Sequence, residues 1–296
     1  DQVNDFFDEA VRLCREVIDD NLYSIWNYNH LSGMKDMSYR YLFCLEDATT
    51  NPAGMTKESN KEFIIKSVYD KDIKPGGVNL NETVRKMDAS RKLMDLFLCT
   101  DGLPVEISKE FEGYATPEAE FQNRDNRMKS DIDIDAQTSA AKELKSGTSG
   151  YGNMKFMCPA RVTARTESPD YPVLRLADVY LMMAEAVVRG GTGSDRGTVL
   201  GYINELQRRA YGDDEHKIAD SDLTLDFLLK ERARELYWEG HRRTDLIRYG
   251  MFTTDKYLWQ WKGGEKGGTA VNSKYNIYPI PNTELTANPN LYNENY

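Results

Sequence analysis

Apolar residues return at three- and four-residue steps in four stretches of this chain, and each such stretch predicts an amphipathic helix. In the first, at 5–20, Phe6, Ala10, Leu13, Cys14, Val17 and Ile18 share one face. Two more, at 175–189 and 196–211, are joined by the turn GGTGSD. The fourth, at 221–250, carries Leu225, Leu229, Ala233, Leu236, Gly240, Thr244 and Ile247 on one stripe. Ser221 or Thr224 suits its N-cap, and Gly250 stands where a helix stops. Glu231 with Arg234, Glu239 with Arg243 and Asp245 with Arg248 have helical pair spacing. The stretch therefore reads as one long helix with a solvated, ion-laced face.

Alternation of period two is rarer. EFIIKSVY at 62–69 predicts a short strand. Asp131, Asp133 and Asp135 alternate with Ile132 and Ile134, which predicts a half-buried strand with isoleucines in and aspartates out. A calcium loop fits less well, because Ala136 stands where its glycine belongs and no Glu closes it. A helix over about 88–98 leads to a tight turn at Asp101-Gly102. The segments 49–60, 74–81 and 146–153 read as loops, the last as the most flexible. Pro279 and Pro281 confine the tail to an edge or an extended tether. The helix–turn–helix spacing from 174 onward suggests a tetratricopeptide-type hairpin. The predicted fold class is mainly α: tetratricopeptide-like helical hairpins packed against a loop-rich region with short β-strands.

Charge and reactive residues narrow the chemistry. The formal charge of −10 and the lack of a Lys/Arg cluster argue against a nucleic-acid partner. Cys14, Cys44, Cys99 and Cys158 lie too far apart for a zinc ribbon or a redox pair. Cys14 and Cys99 read as buried small hydrophobes. His30, His216 and His241 are scattered, so no metal ligand set is predicted, and no cofactor motif is found. Gly191 and Gly193 mark a turn, since no strand precedes them and a third glycine is missing. The many acids leave open a catalytic carboxylate pair, which only spatial separation would define.

Aromatic residues offer the better lead. A ring presents a flat apolar face to the C–H face of a sugar, while Asn, Asp and Arg bond its hydroxyls. Three patches qualify: Trp26, Tyr28, Tyr39 and Tyr41; Tyr69 at the end of its strand; and Tyr257, Trp259 and Trp261 before GGEKGG. Core packing competes with this reading everywhere, and most strongly at Trp26 and Tyr28. The predicted ligand-binding residues are Tyr69, Trp259, Trp261, Tyr39 and Tyr41. If residues 259–261 are extended, both Trp rings project the same way.

ERARELYWEGHRRTDLIRYG at 231–250 resembles the signature helix of the SusD/RagB family of surface nutrient-binding lipoproteins. YPVLRLADVYLMMAEA at 171–186 and NIYPIPNTELTANPNLYNENY at 276–296 are similar to two further family segments. LMDLFLCTDGLPVEIS, FQNRDNRM and NKEFII follow the family order upstream, although Asn126 stands where the family usually has Pro. The resemblance implies that residues 1–296 form the C-terminal domain of that plan. The family's N-terminal half, leader peptide and lipid-bearing cysteine would lie outside this chain. It also implies non-catalytic capture of a glycan at the outer membrane, on the cell surface. Delivery would be to a SusC-like TonB-dependent transporter, with membrane attachment only through the lipid anchor. A peptide-binding member of the same family and a helical-toroid enzyme acting on polysaccharide remain alternatives. No binding residue transfers by motif, because the family's ligand contacts vary and come partly from the other half.

Overall fold

The computed structural model describes residues 2–31, 33–34, 38–49, 51–70, 72–73, 89–133, 151–156 and 168–293. Its centre is a helix that almost no water reaches. The chain enters it through a long outer helix, α1 (Gln2–Asp19), then a short aromatic-rich helix, α2 (Ser38–Leu42), and a strand, β1 (Phe63–Ser67). Three short helices follow: α3 (Arg91–Leu96), α4 (Pro117–Phe121) and α5 (Asn126–Asp131). Two-residue strands β2 (Ile132–Asp133) and β3 (Gly152–Asn153) pair antiparallel. β4 (Tyr171–Arg175) runs antiparallel to β1 and leads directly into the central helix, α6 (Leu176–Val188). Then come α7 (Arg196–Tyr211), α8 (Leu225–Glu235), α9 (Arg242–Arg248) and α10 (Asn282–Ala287).

The helical hairpin predicted from the spacing is present as α6 and α7. Arg189 caps α6, and Gly190 at φ 104° reverses the chain. Gly191 then passes against the Phe7 carbonyl of α1, too close to admit a Cβ. Asp195 caps α7 by accepting from the Thr198 amide at 2.9 Å. The main core joins α1, α6, α7 and α8 through Val11, Leu181, Met183, Ile203, Leu206 and Leu228, all fully buried. Trp26, Tyr39, Tyr41, Phe43 and Phe63 build a second core. Met94, Phe97, Phe121 and Met128 build a third. Cys14, Cys44 and Cys99 are buried in these layers; Cys158 lies outside the described residues. Among the described residues no helix is long and apolar enough to cross a membrane.

Three expectations are corrected. The fourth amphipathic stretch is two helices: Thr224 caps α8, accepting from the Phe227 amide, but the helix ends at Glu235 and α9 begins at Arg242. Trp238 at φ 60° and Gly240 at φ 83° lie between them, in a backbone region a helix does not use. The charges of α8 are not solvated, for Glu231, Arg234 and Glu235 are almost wholly buried. The predicted alternation begins at the end of α5, where Asp131 stands, and continues only as the two-residue β2; Asp131 and Asp133 are buried along with Ile132, so the aspartates do not face water. Ile134, Asp135, the loop at 74–81 and residues 146–150 lie outside the described residues.

What draws the acids inward is a set of buried arginines. Glu62 accepts from Arg175 at 2.6 Å and from Arg209 at 2.7 Å. Glu235 accepts from Arg175 at 2.7 Å, from Arg127 at 2.9 Å and from Arg209. Glu239 accepts from Arg175 at 2.7 Å and from Lys155 at 2.8 Å. Glu231 joins Arg127 at 2.5 Å to Arg234 at 2.7 Å. Burial opposes ionisation of Glu235, yet the guanidinium groups of Arg209, Arg175 and Arg127 hold its carboxyl far below the usual range. Bidentate geometry suits Arg to this role.

Candidate ligand-binding cavity

The break between α8 and α9 builds a cavity of about 560 Å³. Trp238, Gly240, His241, Arg242 and Arg243 lie along its wall because the chain turns there instead of continuing as helix. Ser90, Leu93 and Leu96 come from α3 and its cap, Tyr171 from β4, and Tyr257 and Trp259 from the loop after α9. The turn is held by the Tyr171 hydroxyl, which donates to the Trp238 carbonyl at 3.3 Å. A non-glycine residue in the left-handed region is strained by about 1–3 kcal/mol, and such strain gathers at functional sites.

Tyr257 is clamped from two sides. The Lys92 ammonium sits 4.1 Å over its ring centre and donates to the Leu258 carbonyl at 3.0 Å. Arg242 donates to the Tyr257 hydroxyl at 3.0 Å and to the Leu229 carbonyl at 2.7 Å. Burial pushes the Lys92 ammonium down from its ordinary value, and the Arg242 charge pushes the same way. Trp259 stands edge-on to Tyr257, ring centres 5.0 Å apart, with Lys262 4.8 Å from its own. Gly268, at φ 80°, closes the loop so tightly that a Cβ there would overlap the Trp259 carbonyl. Of the glycines of GGEKGG, Gly268 is the one that sits against Trp259.

Of the five residues predicted to bind ligand, the cavity contains Trp259. Trp261 is half-buried and is not among the lining residues. The segment is a turn with Trp261 at φ 63°, not extended, so the two rings do not alternate as a strand would place them. Tyr69 is half-buried, its carbonyl held by the Lys57 ammonium at 2.5 Å, and it too lies outside the lining. Tyr39 and Tyr41 are corrected outright. Tyr39 is 1% exposed and Tyr41 9%, in the second core, where no ligand ring can stack on them. The Tyr39 hydroxyl donates to the Glu235 carbonyl at 2.7 Å instead. Trp26 and Tyr28 pack edge-to-face at 4.6 Å in the same core.

Trp238, His241, Arg242 and Arg243 were missed because they sit inside the string read as one continuous helix. The available signal was Gly240, the one glycine on its apolar stripe.

The chain belongs to the SusD family, whose model matches residues 50–296. It is 42% identical over 163 residues to the starch-binding protein SusD of Bacteroides thetaiotaomicron, covering 54% of this chain and 28% of that protein. It is 34% identical over 122 residues to SusD-like protein P25 of Formosa agariphila, covering 40% of this chain and 22% of the relative. The chain thus spans less than a third of these curated relatives. Among solved structures, a SusD superfamily protein from Bacteroides thetaiotaomicron aligns with a TM-score of 0.65 at 19% identity, covering 97% of this chain and 56% of that one. Surface glycan-binding protein A from the same organism, in complex with laminarihexaose, aligns at 0.58 and 17% identity, covering 100% and 61%. At such identities the likeness shows the fold, which is mainly helical with few short strands.

Proposed function

We propose that this chain belongs to a non-catalytic glycan-binding protein of the cell surface, and that the cavity beside the α8–α9 break holds the sugar. The observation that carries this reading is the lining itself. Trp259, Trp238 and Tyr257 offer aromatic surface, and Arg242 and Arg243 offer fixed N–H donors between them. Aromatic faces take the C–H side of a pyranose and guanidinium groups take its hydroxyls. The names of the relatives, one starch-binding and one held in a laminarihexaose complex, support the same class of ligand. From the predicted set, Trp259 stays in the proposed site. Tyr69 and Trp261, outside the cavity, would serve at most as outlying contacts.

Family membership supports the wider role: lipid attachment to the outer membrane and delivery of ligand to a SusC-like TonB-dependent transporter. Hand-over requires moderate affinity, since a slowly dissociating ligand would not pass on.

The test is affinity electrophoresis through a panel of polysaccharides, with a parallel assay for new reducing ends. Retarded migration without new reducing ends, lost in a folded Trp259→Ala variant, supports the reading. New reducing ends would replace it with an enzyme. Retardation unchanged by Trp259→Ala would move the site elsewhere.

A further inference from the structure

The chain carries 48 acidic against 38 basic residues, and it supplies carboxylates to its arginines almost wherever they are buried. Arg232, which also lines the cavity, has Asp178 at 2.6 Å and Asp245 at 2.9 Å. Arg127, Arg175, Arg209 and Arg234 are paired as well. Arg124, fully buried, is an exception that donates to three backbone carbonyls; Arg242 and Arg243 also depart from the pattern, and they do so in the cavity wall. Among the described residues neither has a carboxylate within ion-pair distance, and the cavity lining contains no Asp or Glu. Arg242 donates only to neutral oxygens, the Leu229 carbonyl and the Tyr257 hydroxyl. Arg243 donates to the Tyr275 carbonyl at 2.5 Å and lies 3.9 Å over the Tyr278 ring. Lys92, behind Tyr257, likewise meets a carbonyl and a ring. Such contacts orient a cation without cancelling its charge, and partly buried charge without a counter-ion is costly.

The position of the two arginines adds direction. A second cavity of about 380 Å³ shares Leu96, Arg242 and Tyr257 with the first, but Asp95, Glu106 and Asp226 line it, so its own carboxylates oppose an acidic unit there. A third, about 390 Å³, shares Arg243 with the first and contains Lys262 but no carboxylate. One arginine therefore stands at each junction along a chain of three adjoining hollows. A single sugar needs one hollow; an acidic polymer that leaves the central one past Arg243 enters the hollow without carboxylates and meets Lys262 there.

We propose that this site selects an acidic glycan, a polymer bearing carboxylate or sulfate groups, and that Arg242 and Arg243 read those groups. The proposal rests on the glycan-binding reading above. Each guanidinium keeps N–H donors beyond those engaged, in the planar fork that suits an oxyanion. Trp259, in the same lining, then takes the apolar sugar face.

The experiment is titration calorimetry of the full chain with three probes: an oligogalacturonate, its carboxyl-reduced neutral counterpart, and a sulfated galactan oligosaccharide. Binding of either acidic probe roughly tenfold or more tighter than the neutral one supports the proposal, as a hydrogen bond to a charged group predicts. Which acidic probe binds tighter identifies the group. The preference should shrink as sodium chloride is raised. It should also shrink in Arg243→Gln and be restored in part by Arg243→Lys. Arg242→Gln should act likewise, and if that variant fails to fold, the Arg243 pair still decides. Equal affinity for the neutral and acidic probes would overturn the acidic preference and leave glycan binding standing. An undiminished preference in folded Arg243→Gln would overturn the role of the arginine. Failure of all three probes, together with every polysaccharide of the electrophoresis panel, would remove the glycan reading itself.

Discussion

Arg175 grips Glu235 twice: one guanidinium nitrogen donates to its carboxylate at 2.7 Å and the other to its backbone carbonyl, also at 2.7 Å. That carbonyl would be bonded by the Glu239 amide if α8 ran on. It is instead taken by three side-chain donors, the third and second being Lys155 at 3.3 Å and Tyr39 at 2.7 Å. The Glu239 amide turns to the Leu236 carbonyl at 3.1 Å. The buried ion network thus satisfies the helix end that a helix leaves open, and the cavity exists because the helix ends there.

Removing Arg175 should be among the most damaging single changes. Arg175→Ala strips a donor from Glu62, Glu235 and Glu239 at once and leaves carboxylates buried. Breaking a buried pair by deleting one partner costs about 3–5 kcal/mol. Urea denaturation should show a loss of that size, and a loss under 1 kcal/mol would contradict the network's role.

Tyr39→Phe isolates the helix-ending contact. The ring stays in the core while the hydroxyl leaves the Glu235 carbonyl and the Lys155 ammonium, which lies 2.9 Å away. A cost of about 1–3 kcal/mol is expected. Glycan affinity should fall little, since Tyr39 does not line the cavity; a large drop with unchanged stability would return it to the ligand-contact set.

Asp131 gives the protein a pH dependence opposite in sign to that of Glu231, Glu235 and Glu239. Its carboxylate is buried, and neither oxygen is hydrogen-bonded among the described residues. Burial pushes it up to about 7; Glu239 and Glu235 add to this, while Lys155, 3.9 Å away, opposes it. An acid whose folded value lies above its unfolded value of 3.8 favours the protonated folded state. Its contribution is complete below pH 3.8 and is lost as pH rises toward 7. Glu231, Glu235 and Glu239 are buried too, but arginine and lysine charges hold them down, so their contribution is present above 4.5 and lost only on stronger acidification. Asp131→Asn should flatten the fall in melting temperature between these limits and melt higher than the parent at pH 8. A parent protein whose stability rises steadily across that window would refute this.

Trp259→Ala should weaken glycan binding by roughly tenfold, the size of one lost stacking contact, without a change in the far-ultraviolet circular dichroism. Trp261→Ala should weaken it less, because Trp261 lies outside the cavity lining. Equal losses from the two would indicate that both rings face the ligand.

Gly268→Ala should act through Trp259 without touching the ligand. The added methyl would meet the Trp259 carbonyl at a backbone angle that alanine rarely adopts. Displaced tryptophan fluorescence together with lowered glycan affinity is expected, and an unchanged spectrum would show that the loop absorbs the methyl.

The helices α1 and α7 were legible because their burial follows a period that apolar residues reveal along the chain, and α6 because its long apolar run between β4 and a glycine turn leaves little but a buried helix. The Thr224 cap and the Gly250 stop were legible because caps depend on one side chain and its own backbone. Family membership was legible too, since the order of short segments survives where each segment alone is modest. The break after Glu235 was not. ELYWEG has helical spacing throughout, and Glu231 with Arg234 looks the same on a solvated surface as in a sealed core. The partners that decide it, Tyr39, Arg127, Lys155 and Arg175, lie 60 to 196 positions away in the chain. Tyr39 was misplaced for the same reason, because an aromatic in an irregular segment carries no local mark of what will cover it. Local pattern therefore determined the helices, their caps and the family. Only the tertiary structure decided where charge is buried, because an ion pair inside a protein is stable only when every distant partner arrives, and that arrival ends a helix and opens the cavity.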